Sequence, residues 1–216
     1  KLHMPEGCNL LSPYFSYTDV DLLVDRTYHD EATGENILEH EILETIIQEV
    51  ESAETFLIID LFLWNEWQGR FSENDGQELT PLGNNLAVAI IEKRKTNPEM
   101  PILIVTDPIN RLYGGNDPQF FQAFEELGIP VVYTDLYKLP DSNKIYSKQV
   151  RFWSKFYNLG SNNNQFRIFP NVVESKAERL SFSQFFKALH LKANHRKIVI
   201  SGYRNSPSKM IIGSFN

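Results

Sequence analysis

The chain has 216 residues, of which 42% are hydrophobic and 23% charged, enough to bury one core and typical of a globular protein. A single cysteine excludes an internal disulfide, and no apolar run approaches the ~18 residues of a membrane-spanning helix. The first residues lack an apolar signal segment and the formal net charge is −7. We therefore expect one soluble domain over residues 1–216, with any membrane anchor lying outside this chain.

The first predicted elements are a short strand and an amphipathic helix. Residues 21–25 have the composition of a strand. Asn36 is a favoured capping residue, and Glu39 stands three positions later, where a capping box places an acid. We therefore predict a helix that is capped by Asn36. Its apolar face would be formed by residues at helical spacing, namely Ile42, Leu43, Ile46, Ile47 and Val50.

Apolar runs and helical patterns alternate through the middle of the chain. One helix is predicted at about 82–96, and another is capped by Asp117, has Pro118 in its first turn and ends before Gly128. The apolar runs have strand length and cover residues 55–64, 102–106 and 131–134. Such runs favour strands that are covered on both faces. The pattern predicts an α/β fold with a largely parallel or mixed central sheet and helices on both faces.

A polar and aromatic stretch interrupts this alternation at about 136–180. We predict a helical and loop insert there, including an amphipathic helix near 147–158. Two interpretations of that helix stand side by side. It packs against the edge of the sheet, or it forms a lid or lipid-contact surface near the functional site.

The last 22 residues carry the strongest functional signal. His195 and Lys197 open an apolar run, and positions i and i+2 of a strand share one face, so Arg196 should lie on the other. An imidazole beside an ammonium suits a phosphate, since one group can attack phosphorus while the other neutralises its oxygens. Ser214 and Asn216, again at i and i+2, add a hydroxyl and an amide after a second short strand.

These residues resemble the phospholipase D superfamily, whose motif is His-x-Lys, then Asp, then Gly-Ser-x-Asn. His195 and Lys197 match the first part, and the stretch 213–216 matches the last. The motif's Asp position holds Gly202, and the segment that follows is longer than the family's. Since that Asp mainly fixes the hairpin in the family, its loss concerns local geometry, and Arg204 or Asn205 is a candidate replacement.

The resemblance implies a phosphodiesterase or phosphatidyltransferase that needs no metal and no cofactor. His195 would form a phosphohistidine, while Lys197, Asn216 and Ser214 would hold the phosphoryl oxygens. A second His-x-Lys motif would protonate the leaving alcohol. It would come from the second half of the same polypeptide, the arrangement we favour, or from a second copy in a homodimer. One half alone is expected to be nearly inactive.

Charge distribution guides the expected substrate. The segment 175–216 holds eight Lys or Arg residues and one acid, Glu178, so it carries about +7 and leaves about −14 for the rest. This polarity focuses anions toward His195. Since a nucleic-acid enzyme usually has a broader basic footprint, we expect a phospholipid or small diester, with peripheral membrane contact as a further expectation. A nuclease of the same superfamily and a non-catalytic phosphate-binding scaffold are the alternatives.

Three other features are candidates for a role. His190 and Lys192 form a competing His-x-Lys, but no matching Asp or Gly-Ser-x-Asn follows at the right distance. Asp60, an acid inside an apolar run, either orients a polar network or makes a strand-end contact. After the second buried strand, a further set lines the pocket mouth or serves ordinary turn chemistry: Asp107, Asn110 and Arg111.

Overall fold

A computed structural model describes residues 20–64, 82–114, 118–139, 145, 148, 149, 152, 167–170, 179–181, 184, 185 and 193–213. The contacts divide the chain into two compact units, residues 1–42 and residues 43–216. The single-domain organisation and the insert at 136–180 stay predictions, because most of that insert lies outside the described residues. The predicted helix at 147–158 is described only at Lys148, Gln149 and Phe152, which have helical backbone.

A β-hairpin occupies most of the described part of the first unit. Its strands β1 (Arg26–Asp30) and β2 (Glu35–Glu39) are antiparallel. Gly34 has a φ of 72°, a left-handed conformation that suits glycine, and its N–H donates to the Asp30 carbonyl at 2.8 Å. The Asp30 carboxylate also accepts the N–H of Ala32 at 2.9 Å. These bonds close a tight turn between the two strands.

Two sequence predictions in this unit are wrong. Residues 21–25 form no strand, and Asn36 does not cap a helix because it lies in β2 and pairs with β1. Helix α1 (Glu41–Ser52) begins at Glu41 instead. The Asp25 carboxylate accepts the N–H of Ile42 in its first turn at 2.9 Å, so the helix is capped by a residue that is distant in sequence.

A five-stranded mixed sheet forms the centre of the second unit. Its strands are β3 (Phe56–Leu61), β4 (Ile102–Thr106), β5 (Val131–Tyr133), β8 (Lys197–Gly202) and β9 (Lys209–Ile212). Their spatial order is β5-β4-β3-β8-β9. Strands β3, β4 and β5 are parallel, whereas β8 runs antiparallel to β3 and β9 antiparallel to β8. The predicted α/β class and mixed sheet are confirmed. A separate antiparallel pair consists of β6 (Arg167–Phe169) and β7 (Leu180–Ser181).

Helices connect the parallel strands. Helix α2 (Leu82–Thr96) has the predicted bounds, and α3 (Gln119–Glu126) follows Pro118 at its N-cap. Gly128, with a φ of 66°, stands just beyond α3 as predicted. Asp117, the predicted cap, lies outside the described residues. Short 3₁₀ segments follow β4 and β5, at Pro108–Gly114 and Leu136–Lys138.

The core lies between one face of the sheet and the helices. Ser201 pairs with Leu57 and donates to Glu49 of α1 at 2.6 Å, so α1 packs on the face that carries Leu57. Fully buried side chains contribute about 1.5–3 kcal/mol each. Buried side chains in this layer include Ile46, Val50, Leu57, Ile59, Leu86, Ile90, Ile102, Ile104, Phe121 and Phe124. None of the helices in the described ranges is long and apolar enough to cross a membrane.

Candidate active site

The candidate site lies where the parallel strands end. Strands β3 and β4 end level with each other at Leu61 and Thr106, and Thr106 pairs with Tyr133 at the end of β5. Because β8 is antiparallel to β3, its first residue, Lys197, pairs with Leu61 at this same edge. The carboxyl edge of parallel strands is the usual position of ligand sites in open α/β sheets.

The structure brings His195 and Lys197 together. The Lys197 ammonium lies 3.3 Å from both ring nitrogens of His195. Arg196 points the other way, with its Nε 3.0 Å from an oxygen of Asp60. The alternation expected from the sequence is therefore present, whereas the catalytic roles of His195 and Lys197 stay predictions.

Lys197 is a buried cation without a counter-ion among the described residues. It is 3% exposed, although it ends in an ammonium group. Besides His195 it approaches the ring of Phe62, at 5.5 Å from the ring centre, and Phe62 in turn lies 4.8 Å from the imidazole, centre to centre. Burial lowers the pKa of Lys197. Since removing a cation from water is unfavourable, an anion bound beside this ammonium would be strongly favoured.

The second part of the motif begins beside this pair. Strand β9 pairs with β8, and the Gly213 N–H that follows it donates to the Lys197 carbonyl at 3.1 Å. Gly213 therefore lies level with Lys197. Ser214 and Asn216 lie outside the described residues, so their predicted approach to Lys197 stays a prediction. The competing pair, His190 and Lys192, also lies outside them.

A polar network adjoins the pair and is centred on Asn194, a residue that our sequence analysis did not single out. Asn194 is buried, and its N–H donates to Asp107 at 2.9 Å. Its amide nitrogen donates to Asp60 at 3.2 Å and to Thr134 at 3.0 Å. Its amide oxygen accepts from Arg196 Nε at 2.9 Å. Asp60 therefore belongs to a polar network, one of the two roles that its position in an apolar run suggested.

Both carboxylates of this network are buried. Burial raises the pKa of Asp60, with Arg196 and the Asn194 amide opposing the shift. Burial likewise raises the pKa of Asp107, which accepts the N–H groups of Ile109 and Asn194. In the described part of the chain, no three His, Cys, Asp or Glu side chains group as metal ligands would.

The loop after β4 contacts the segment that carries Phe62, next to His195 and Lys197. Asn110 is buried, accepts the N–H of Trp64 at 2.7 Å and donates to the Phe62 carbonyl at 2.8 Å. It thereby holds the segment that presents the Phe62 ring to the pair. Arg111 lies 3.3 Å from Glu125. Of the two roles expected for this loop, the structure shows the turn role at Asp107, whose carboxylate accepts the N–H of Ile109. The same carboxylate also accepts the N–H of Asn194, the residue before His195.

The hairpin between β8 and β9 is held without the family's Asp. At Gly202 an added Cβ would lie 2.4 Å from atoms of Phe56 and Thr55, so an Asp side chain does not fit there. Glu54 instead accepts the N–H of Arg204 at 2.8 Å. Glu49 accepts the hydroxyl of Ser201 and the ammonium of Lys209, at 2.6 and 2.8 Å. Acids from α1 and the turn before β3 therefore secure the hairpin, a role that sequence analysis had sought in Arg204 or Asn205.

Comparison with protein-family models gives no match, and comparison with curated proteins gives no significant relative. The resemblance to phospholipase D enzymes therefore depends on the residues of the motif. The identity of these residues and the geometry of His195 and Lys197 are the grounds for the proposal that follows.

Proposed function

We propose that this protein is a phosphodiesterase or phosphatidyltransferase of the phospholipase D type. The observation that carries the proposal is the buried Lys197 ammonium, which contacts the His195 imidazole and lacks a counter-ion among the described residues. Such a cation is suited to hold a phosphate, and it stands beside a nitrogen nucleophile that is exposed to solvent.

The proposed reaction has two steps. A ring nitrogen of His195 attacks phosphorus, and the bond from phosphorus to the leaving oxygen breaks as the phosphorus–nitrogen bond forms. A general acid gives the leaving oxygen its proton. Water or another alcohol then attacks the phosphohistidine, loses its proton to the same group and releases His195. Lys197 stabilises the charge on the phosphoryl oxygens throughout, and Ser214 and Asn216 are proposed to assist it.

The general acid is proposed to come from a second His-x-Lys motif. On this chain one His-x-Lys, at His195 and Lys197, is followed by the matching Gly-Ser-x-Asn. A second half of the same polypeptide or a second copy of the chain would bring another imidazole to the opposite side of the phosphate. The proposed substrate is a phospholipid or a small diester, because the chain is acidic as a whole, at −7. The basic segment 175–216 favours a nuclease as the second candidate.

The test compares variants of the full-length protein in a diester assay with vesicle-bound phospholipid and a small aryl diester, run in EDTA because the proposed mechanism uses no metal. His195→Asn should abolish turnover. Lys197→Met should reduce it by about 10²–10³-fold, the usual effect of removing one charge-stabilising donor. Lys95→Met removes the same charge at an exposed position and should leave turnover unchanged, as should His190→Asn. Near-normal activity of His195→Asn would contradict the proposal.

A further inference from the structure

We propose that Asn194, held between Asp107 and Asp60, is a positioning residue that fixes His195 and Lys197 in their reactive geometry. This inference rests on the proposed function, because it names the residue that positions His195 and Lys197 for the proposed reaction. The bonds that carry it connect residues that are far apart in the chain and meet at the carboxyl edge of the sheet.

The Asn194 side chain has one orientation that satisfies its neighbours. Its amide nitrogen donates to both Asp60 and Thr134, and its amide oxygen accepts from Arg196. An aspartate would place its carboxylate against that of Asp60, and an alanine would remove one hydrogen bond from each of the three partners. Only a group with two donors and one acceptor in one plane meets all three requirements, which is the amide of asparagine.

The partners of Asn194 come from the ends of three strands. Asp60 is in β3, Asp107 follows β4 directly and Thr134 follows β5 directly. Through Asn194 they tie the segment that leads into β8 to the carboxyl ends of β3, β4 and β5. The segment next to the catalytic pair is thereby held by hydrogen bonds at both backbone and side chain.

His195 depends on this anchoring. It is exposed, and its contacts within the described residues are to Lys197 and the Phe62 ring. Its backbone is held on both sides, by the bond from Asn194 N–H to Asp107 one residue before it and by the bond from Phe62 N–H to the Arg196 carbonyl one residue after it. A displacement of about 1 Å at such a group can reduce a rate by about 10²-fold.

The two carboxylates of the network do not by themselves stabilise the fold when they are ionised. Burial raises the pKa of both Asp60 and Asp107. A carboxyl group whose pKa is raised on folding is held ionised at the expense of folding free energy above that pKa. Groups that oppose stability are expected chiefly where function requires their geometry.

The test uses the full chain and follows the His195 ring by NMR with ¹⁵N-labelled histidine, alongside diester turnover. Asn194→Asp should shift the His195 ring resonances and lower kcat by about 10²-fold with a small change in KM. The matched control, Asn205→Asp, makes the same change at an exposed position of the β8–β9 turn and should alter neither readout. Thr134→Val removes one acceptor without adding charge and should shift the same resonances less, so the test survives if Asn194→Asp fails to fold.

His195 resonances that match the wild type in Asn194→Asp and Thr134→Val would overturn the inference, as would a loss of stability without any change at His195. A full-length wild-type protein that turns over no diester would instead remove the proposed function. In that case the resonances still decide whether the network positions the pair.

Discussion

Lys197 and Lys209 show how differently one side chain type behaves along the β8–β9 hairpin. Lys209 lies 2.8 Å from Glu49 and its side chain is 64% exposed. Lys197 is 3% exposed and contacts an imidazole and an aromatic ring. The first arrangement is a structural ion pair, whereas the second leaves a charge to be neutralised by a ligand. Alternation along a strand predicts that His195 and Lys197 share a face, but it predicts neither the burial of Lys197 nor its ring partner.

Replacing Glu49 should change how stability depends on pH. Burial by itself would raise the pKa of Glu49, but hydrogen bonds from Lys209, Ser201 and Tyr203 outweigh it, so the pKa is lowered. A lowered pKa stabilises the fold above the unfolded value of about 4.3, and the contribution is lost as the pH falls through the folded value. Glu49→Gln should therefore cost about 1–3 kcal/mol near pH 7 and progressively less below about pH 4.

Urea unfolding of the wild type and Glu49→Gln between pH 3 and about pH 8 measures this difference. Glu54→Gln is the comparison, since Glu54 makes one exposed bond to Arg204 at the same hairpin. A difference between wild type and Glu49→Gln that stayed constant with pH would show that the ionised carboxylate is not what Glu49 contributes.

At the scale of elements, the strands of the central sheet and two of the helices follow from the sequence, whereas β1 and β2 do not. The runs that form β3, β4 and β5 are long, apolar and separated by helical patterns, so local composition agrees with the fold. The helix start predicted from Asn36 and Glu39 is wrong because a capping pattern is only a local signal. A turn closed by Asp30 and Gly34 overrides it and pairs residues 35–39 with β1 instead.

The Asn194 network could not be predicted in this way. In the sequence, Asn194 is 134 residues from Asp60, 87 from Asp107 and 60 from Thr134. No periodicity or short motif links positions at such separations. The unusual acid within an apolar run was the one visible sign of it, since a buried carboxylate needs partners.

Placing an acid at position 202, where the phospholipase D motif has Asp, should weaken the hairpin. Gly202→Asp places a Cβ 2.4 Å from Phe56 and Thr55, and overpacking of this kind typically costs about 1–3 kcal/mol. Asn205→Asp adds the same charge at an exposed position of the turn and should be close to neutral. Thermal unfolding of both variants measures the change in stability. A Gly202→Asp protein as stable as the wild type would contradict the prediction and would mean that Phe56 and Thr55 move aside easily.

At the scale of the whole molecule, charge is unevenly distributed along the sequence, because the chain is acidic but its C-terminal segment is basic. The segment 175–216 contributes about +7 against about −14 elsewhere. We infer from this uneven charge that binding of a single phosphate near His195 is favoured over binding of an extended polyanion. The substrate should therefore be compact or membrane-bound, with one phosphate in reach.

We accordingly expect turnover of a phospholipid or a small diester and little binding of duplex DNA. Fluorescence anisotropy with labelled DNA at about 50 and about 200 mM salt, beside a vesicle assay, separates the two, because phosphate-driven DNA binding falls steeply with salt. Tight, salt-sensitive DNA binding without lipid turnover would favour the nuclease.

The most direct test of the central claim, that His195 and Lys197 bind phosphate, is a titration with inorganic phosphate followed through the His195 ring resonances. The claim predicts a saturable shift of these resonances that is absent in Lys197→Met and retained in Lys95→Met. Resonances that do not move with phosphate, or that move equally in Lys197→Met, would contradict it.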